Sequence, residues 1–176
     1  MNKTPQLLIS EERIQKRVHE VARLLDQYYQ GEELVLVAVM KGAICIAADL
    51  LRALKTPTIL ECVQASSYGQ KGAMRGELTI HGYEKLDLAS KHVLLVDDIF
   101  DTGHTLTQIL SRLEEKQPRS LKSLVLLSKE VNRSFSYEPD YVLFSVENLF
   151  VIGWGLDYKE HYRGLPGIYT FESEST

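Results

Sequence analysis

In HVLLVDDIFDTGHTL, residues His92 to Leu106, an apolar run meets a cluster of carboxylates and small polar residues. Val93, Leu94, Leu95 and Val96 have the uniform apolar character of a strand buried on both faces of a parallel sheet. Asp97 and Asp98 follow at once, then Asp101, Thr102, Gly103, His104 and Thr105. A helical pattern carried by Leu106, Ile109, Leu110 and Leu113 comes next. The expected order is strand, acidic tip, small polar turn, helix.

Such a turn lies outside the carboxyl end of a parallel strand, where open α/β sheets put their ligands, and leads into free helix amides. It makes a phosphate seat: Gly103 permits close backbone approach, and Thr102 and Thr105 add hydroxyl donors. Carboxylates beside a phosphate would repel it unless they meet sugar hydroxyls, protons or a divalent cation. The combination points to a phosphorylated sugar with a metal. One Asp after a strand is more often a helix cap or a solvated charge. Three beside a Gly and two Thr favour a ligand site. The order is neither that of a Walker A loop nor G-x-G-x-x-G.

Upstream, Ser10 can cap a helix with Glu11 and Glu12 in its first turn; Ile14, Val18, Val21, Leu25 and Tyr28 recur at helical spacing until Gly31. Leu34 to Met40 reads as a second doubly buried strand, running into Lys41 and Gly42 and then the short apolar helix AICIAADLLRAL. Thr58 to Gly69 reads as a strand ending in a polar turn, followed by a loop to Glu77 and a short strand from Leu78 to His81. Downstream, Ser123 to Ser128 and Tyr141 to Glu147 are further strands, with Lys129 at the end of the first. Strands alternating with helices predict one α/β domain over residues 1–176, with a central, mainly parallel twisted sheet flanked by helices. The less regular N- and C-terminal pieces are expected to form a small hood over the strand tips.

The tail from Phe150 to Phe171, FVIGWGLDYKEHYRGLPGIYTF, brings the rings of Phe150 and Trp154, the carboxylate of Asp157 and the guanidinium of Arg163. Aromatic residues among glycines are by themselves more often packing than ligand contacts.

VLLVDDIFDTGHTL resembles the signature of the type I phosphoribosyltransferases, which bind 5-phosphoribosyl 1-pyrophosphate. Met40-Lys41-Gly42 is similar to the pyrophosphate loop of the hypoxanthine-guanine members, where the peptide before the Lys is often cis. Ser67-Tyr68-Gly69 is similar to the start of their mobile lid, which shields the activated sugar from water. Phe150 to Tyr158 and Tyr162 to Pro166 are similar to their C-terminal segment, which is far more specific than the central motif.

The resemblance implies Mg²⁺-dependent transfer of the phosphoribosyl group to N9 of hypoxanthine or guanine, giving IMP or GMP and pyrophosphate. It implies that Asp97 and Asp98 meet the ribose hydroxyls, directly or through Mg²⁺, and that Asp101 faces purine N7 as the general base. Asp101, Thr102, Gly103, His104 and Thr105 would hold the 5-phosphate. Lys41, Gly42 and Arg163 would bind pyrophosphate, and Asp157 a Mg²⁺ on it. Phe150 would stack on the purine, the Val151 backbone would meet its edge, and Lys129 would donate to its 6-oxygen. Ser67 and Tyr68 would close the lid. The sequence departs from the family at Asp97, where relatives commonly have Glu, and at Ser128 and Glu130, where they usually have Asp and Pro. Asn148 and Leu149 replace a more acidic pair, which leaves open the choice among hypoxanthine, guanine and xanthine.

With 44% hydrophobic and 25% charged residues in 176, composition is that of a globular chain with a real core. A net charge of -4 counts against nucleic-acid binding, whose affinity rests on a basic face. It also counts against an RNA-binding, nucleotide-sensing regulator on the same fold, as does Asp101. A xanthine-preferring enzyme is the other alternative. Cys45 and Cys62 read as small buried hydrophobes of a reducing compartment. No signal peptide and no run of 18 apolar residues is seen, so a cytoplasmic protein without membrane contact is expected. The resemblance further implies a homodimer or homotetramer.

Overall fold

In the computed structural model, which describes residues 4–67, 78–131 and 137–171, the alternation of side chains along the strands sorts the core into two layers. The chain runs β1 (Pro5–Ser10), α1 (Glu11–Tyr29), β2 (Leu34–Met40), α2 (Ile44–Ala53), β3 (Thr58–Ser67), β4 (Leu78–His81) and β5 (His92–Phe100). It continues through α3 (His104–Glu114), β6 (Ser120–Lys129), β7 (Tyr141–Val146), β8 (Val151–Ile152) and β9 (Gly167–Phe171). The larger sheet has the order β4-β3-β2-β5-β6-β7; β4 is antiparallel to β3 and all other pairs are parallel.

On β2, Leu34, Leu36 and Ala38 pack with Ile14, Val18, Val21 and Leu25 of α1 and with Ile46, Ala47 and Leu50 of α2. The intervening Val35, Val37 and Val39 face the opposite layer, with Leu106, Ile109 and Leu113 of α3. A strand with helices on both sides must be apolar at every position, which is why LVLVAVM and VLLV carry no polar alternation.

Ser10 caps α1: its hydroxyl accepts the Arg13 amide at 3.4 Å, and Glu11 and Glu12 lie in the positive first turn. The helix ends where Gln30 turns left-handed, followed by Gly31. Its core residue in the last turn is Tyr29, 1% exposed, whereas Tyr28 is 48% exposed. The apolar stripe closes at i+4 from Leu25 and not at i+3, correcting the sequence-based expectation. Cys62 is also exposed, because on β3 it alternates with the buried Val63. Cys45 is half-buried.

The N- and C-terminal segments do join, as a three-stranded antiparallel sheet in the order β1-β9-β8. β1 was not legible as a strand. Trp154, just after β8, belongs to the packing and not to a ligand face. It is 7% exposed in the α1/α2 layer, and its Nε1 donates to Asp49 Oδ2 of α2 at 2.9 Å.

Candidate active site

The chain crosses from β2 to β3 on one side and from β5 through β6 to β7 on the other, so the switch point lies between the carboxyl ends of β2 and β5. A cavity of about 300 Å³ lies there. Asp97, Asp98, Asp101, Thr102, Gly103 and Thr105 line it, opposite Gly42, Asp157 and Arg163.

β5 runs on through Asp97 and Asp98 to Phe100, so the first two carboxylates sit on the strand and not in a loop. Asp97 is 6% exposed, and its Oδ1 accepts the Asp98 amide at 2.9 Å. Burial and the neighbouring Asp98 charge push the Asp97 carboxyl well above the ordinary range. Burial raises Asp98 too, opposed by its hydrogen bond with Asp97 and by the Arg163 charge. Gly42 makes this close packing possible, since a Cβ there would fall inside the Asp98 carboxylate. The Met40–Lys41 peptide beside it is cis.

After Phe100 the turn reaches Gly103, whose φ of 81° suits glycine, and α3 begins at His104 with no side-chain cap on its amides. His104 does not line the cavity; its Nε2 lies 2.8 Å from Gln108 Nε2. Asp101 is met from the next strand by Lys129, whose Nζ donates to Asp101 Oδ2 at 3.3 Å and whose side chain is 13% exposed. Phe150 and Val151 lie outside the cavity lining. The Phe150 ring is 53% exposed, stacked 6.2 Å from Phe171 and edge-on to Tyr158 at 5.6 Å. Val151 is buried in β8.

The third wall comes from the hairpin after β8. Gly155 approaches so closely that a Cβ would meet the Gly42 carbonyl, and its φ of 101° is a glycine conformation. Arg163 Nη1 donates to the Gly155 carbonyl at 2.7 Å, and Nη2 lies 2.8 Å from Asp157 Oδ1. Asp157 Oδ2 accepts the Glu160 amide at 2.8 Å. Lys41 lies outside the cavity lining, its Nζ donating to Glu160 Oε2 at 2.9 Å. Ser67 is the last residue of β3, and Tyr68 lies outside the described residues.

Sequence reasoning did not find Glu160, nor the apolar lining by Val39, Ala65, Ile99 and Phe100. Their only signal was adjacency to the motifs. Asp49 was also missed, although an acid within AICIAADLLRAL is itself a signal of a buried partner.

The fold and this seat define a class: a family model described as "Phosphoribosyl transferase domain" matches residues 9–160. The chain is 41% identical over 167 residues to the hypoxanthine-guanine phosphoribosyltransferase of Aquifex aeolicus, covering 94% of both. It is 35% identical over 173 residues to the enzyme of that name from Streptococcus pneumoniae, covering 98% of this chain and 96% of the other. Among solved structures, hypoxanthine phosphoribosyltransferase from Trypanosoma cruzi in complex with the product IMP superposes with a TM-score of 0.88 at 35% identity, covering 99% of this chain and 97% of that one. The chain belongs to the phosphoribosyl transferase family and, within it, to the hypoxanthine-guanine phosphoribosyltransferases.

Proposed function

We propose that this chain works in purine salvage, transferring the 5-phosphoribosyl group of phosphoribosyl pyrophosphate to N9 of hypoxanthine or guanine and releasing pyrophosphate with IMP or GMP. The observation that carries this reading is the Asp101–Lys129 pair, 3.3 Å apart, whose carboxylate lines the strand-turn-helix phosphate seat. N7 and O6 are neighbours on one edge of an oxopurine. Asp101 takes the N7 proton while Lys129 donates to O6, and adenine, whose 6-amino group is no acceptor, is refused.

Thr102, Gly103, His104 and Thr105 hold the 5-phosphate with helix amides and hydroxyls. Asp97 and Asp98 receive the ribose hydroxyls. As the C1–pyrophosphate bond breaks, its electron pair leaves with the pyrophosphate, and the N9 lone pair forms the new bond from the opposite face. Arg163 and Lys41 stabilise the departing charge, and Gly42 lets the loop approach. The exposed Phe150 ring offers a face for the base, with the Val151 backbone at its edge. Ser67 and Tyr68 belong to the lid.

Mg²⁺ fits the donor set: Asp97 and Asp98 are buried carboxylates whose charge needs a counter-ion, and this ion is held by one or two carboxylates plus ligand phosphates. Among the described residues no three acidic, His or Cys groups converge into one metal cage. Asp97 and Asp98 would therefore hold one ion and Asp157 another, each completed by substrate oxygens. When bound, the ion neutralises charge on pyrophosphate.

No helix among the described residues is long and apolar enough to cross a membrane, and we read the enzyme as cytoplasmic. Exposed Ile44, Ile59 and Leu60 offer apolar surface for a homodimer or homotetramer.

The test is a spectrophotometric assay with phosphoribosyl pyrophosphate, Mg²⁺ and, separately, hypoxanthine, guanine, xanthine, adenine and uracil. Turnover of the 6-oxopurines, lost on chelation and absent with adenine and uracil, is expected. No turnover of any base by folded protein would overturn the reading.

A further inference from the structure

Lys41, on the β2–α2 loop, and Arg163, within the hairpin after β8, are both engaged by one carboxylate that the catalytic reading leaves unused. Glu160 Oε2 accepts Lys41 Nζ at 2.9 Å and lies 3.4 Å from Arg163 Nη2. The contact joins the β2–α2 loop to the C-terminal hairpin, 119 residues apart in sequence.

The backbone is bent to bring it there. Lys159, Glu160 and Tyr162 have φ of 52°, 66° and 75°, the left-handed region that non-glycine residues enter at a cost. Tyr158 and His161 close this tight turn with reciprocal amide–carbonyl bonds of 3.1 and 3.0 Å. The Glu160 amide is fixed separately by Asp157 at 2.8 Å, so the backbone holds its place whether or not the side chain keeps its partners.

The two anions on Arg163 differ in how easily they leave. Asp157 is tied by both oxygens, one to Arg163 and one to the Glu160 amide. The Glu160 side chain is 65% exposed and attached only by its tip. Arg163 stays in place when Glu160 departs, because Nη1 is anchored on the Gly155 carbonyl. Its Nε, on the same edge of the guanidinium as Nη2, is buried with no hydrogen-bond partner among the described residues. Nε and Nη2 together form the fork that takes a phosphate through two parallel bonds.

We propose that Glu160 is a displaceable internal anion that competes with pyrophosphate for Lys41 and Arg163. Pyrophosphate binds by displacing the Glu160 carboxylate, and the return of that carboxylate speeds its release. Glu160 thus sets pyrophosphate affinity and touches neither the base nor the ribose. The inference rests on the reading of Lys41 and Arg163 as the pyrophosphate grip.

The test is calorimetric titration of pyrophosphate with Mg²⁺ into wild type, Glu160→Gln, Glu160→Asp and Arg163→Ala, with thermal melts to establish folding. Glu160→Gln is expected to bind pyrophosphate roughly three- to tenfold more tightly, the scale of two exposed ion pairs. Its pyrophosphate release, read by stopped flow, slows by a similar factor, and its KM for the purine base is unchanged. Glu160→Asp, one methylene shorter, shifts in the same direction by less.

If wild type and Arg163→Ala bind pyrophosphate alike, the grip itself is misassigned and the inference falls with it. If Arg163→Ala is weakened while both Glu160 variants bind as wild type does, or more weakly, the grip stands and the role of Glu160 is overturned.

Discussion

The β5–α3 turn and the hairpin after β8 face each other across one cavity, yet they are built in opposite ways. The turn is local: a buried strand, two strand-borne carboxylates, Gly103 at positive φ and a helix start all lie within thirteen residues, His92 to His104. The hairpin carries no helix or named strand: isolated backbone bridges such as Tyr158–His161 shape it, and contacts from outside pin it in place. Trp154 is held by Asp49, Gly155 abuts Gly42, and Lys41 reaches across to Glu160. A site wall can therefore be a motif or a tertiary assembly, and only the first is written contiguously in sequence.

A large effect is expected at Gly42, the residue that both walls abut. Gly42→Ala puts a methyl group into the Asp98 carboxylate, and Gly42 has no left-handed φ, so the backbone itself tolerates alanine. Displacing Asp98 by such a distance should lower kcat/KM about a hundredfold with the circular dichroism spectrum unchanged. Wild-type kinetics would show that the tight approach does not matter.

Asp49→Ala tests whether the hairpin depends on its remote clamp. The Trp154 Nε1–H would be left buried without an acceptor, costing about 1–3 kcal/mol in urea unfolding. Its KM for phosphoribosyl pyrophosphate should rise more than kcat falls, since the clamp positions the Arg163 wall and not Asp101. A fall in kcat alone would contradict that division.

The smallest effect belongs to the turn and has the opposite sign. The Asp97 carboxyl is raised in the fold, so between the ordinary value of 3.8 and its raised value the folded protein holds a proton that the unfolded chain has released. Stability therefore falls as pH rises through that window. Asp97→Asn removes the effect and should stabilise the metal-free protein at pH 7 by about 1 kcal/mol, or 2–4 °C in Tm. The gain should shrink as pH drops towards 4; a gain that is constant with pH would show that charge burial is not its cause.

Periodicity exposed what is local. Helix α1 with its Ser10 cap, the doubly buried strands and the Asp-rich turn were all legible because each depends on neighbours within a few residues. At Tyr28 and Tyr29 the helical stripe permits either i+3 or i+4, and packing against the sheet chose Tyr29. Cys62 is exposed, on the face of β3 opposite the buried Val63, and which face is covered is set by tertiary packing that the strand's own residues do not record. Packing is the favoured reading of Trp154 from sequence, but its partner Asp49, 105 residues away in sequence, leaves no sign local to it. Glu160 could not be singled out from YKEHYR, because left-handed backbone at three non-glycine residues leaves no compositional mark. The resemblance to known relatives, not the physical pattern, drew attention to Asp157 and Arg163.

The central claim is that the turn carries the proton transfer while the hairpin holds pyrophosphate. Steady-state kinetics of Asp101→Asn with hypoxanthine, run beside pyrophosphate titration of the same variant, tests it most directly. The account predicts a fall in kcat of about a hundred to ten-thousandfold with pyrophosphate affinity unchanged. A variant that keeps its kcat, or that loses pyrophosphate binding along with it, would contradict the division of labour between the two walls.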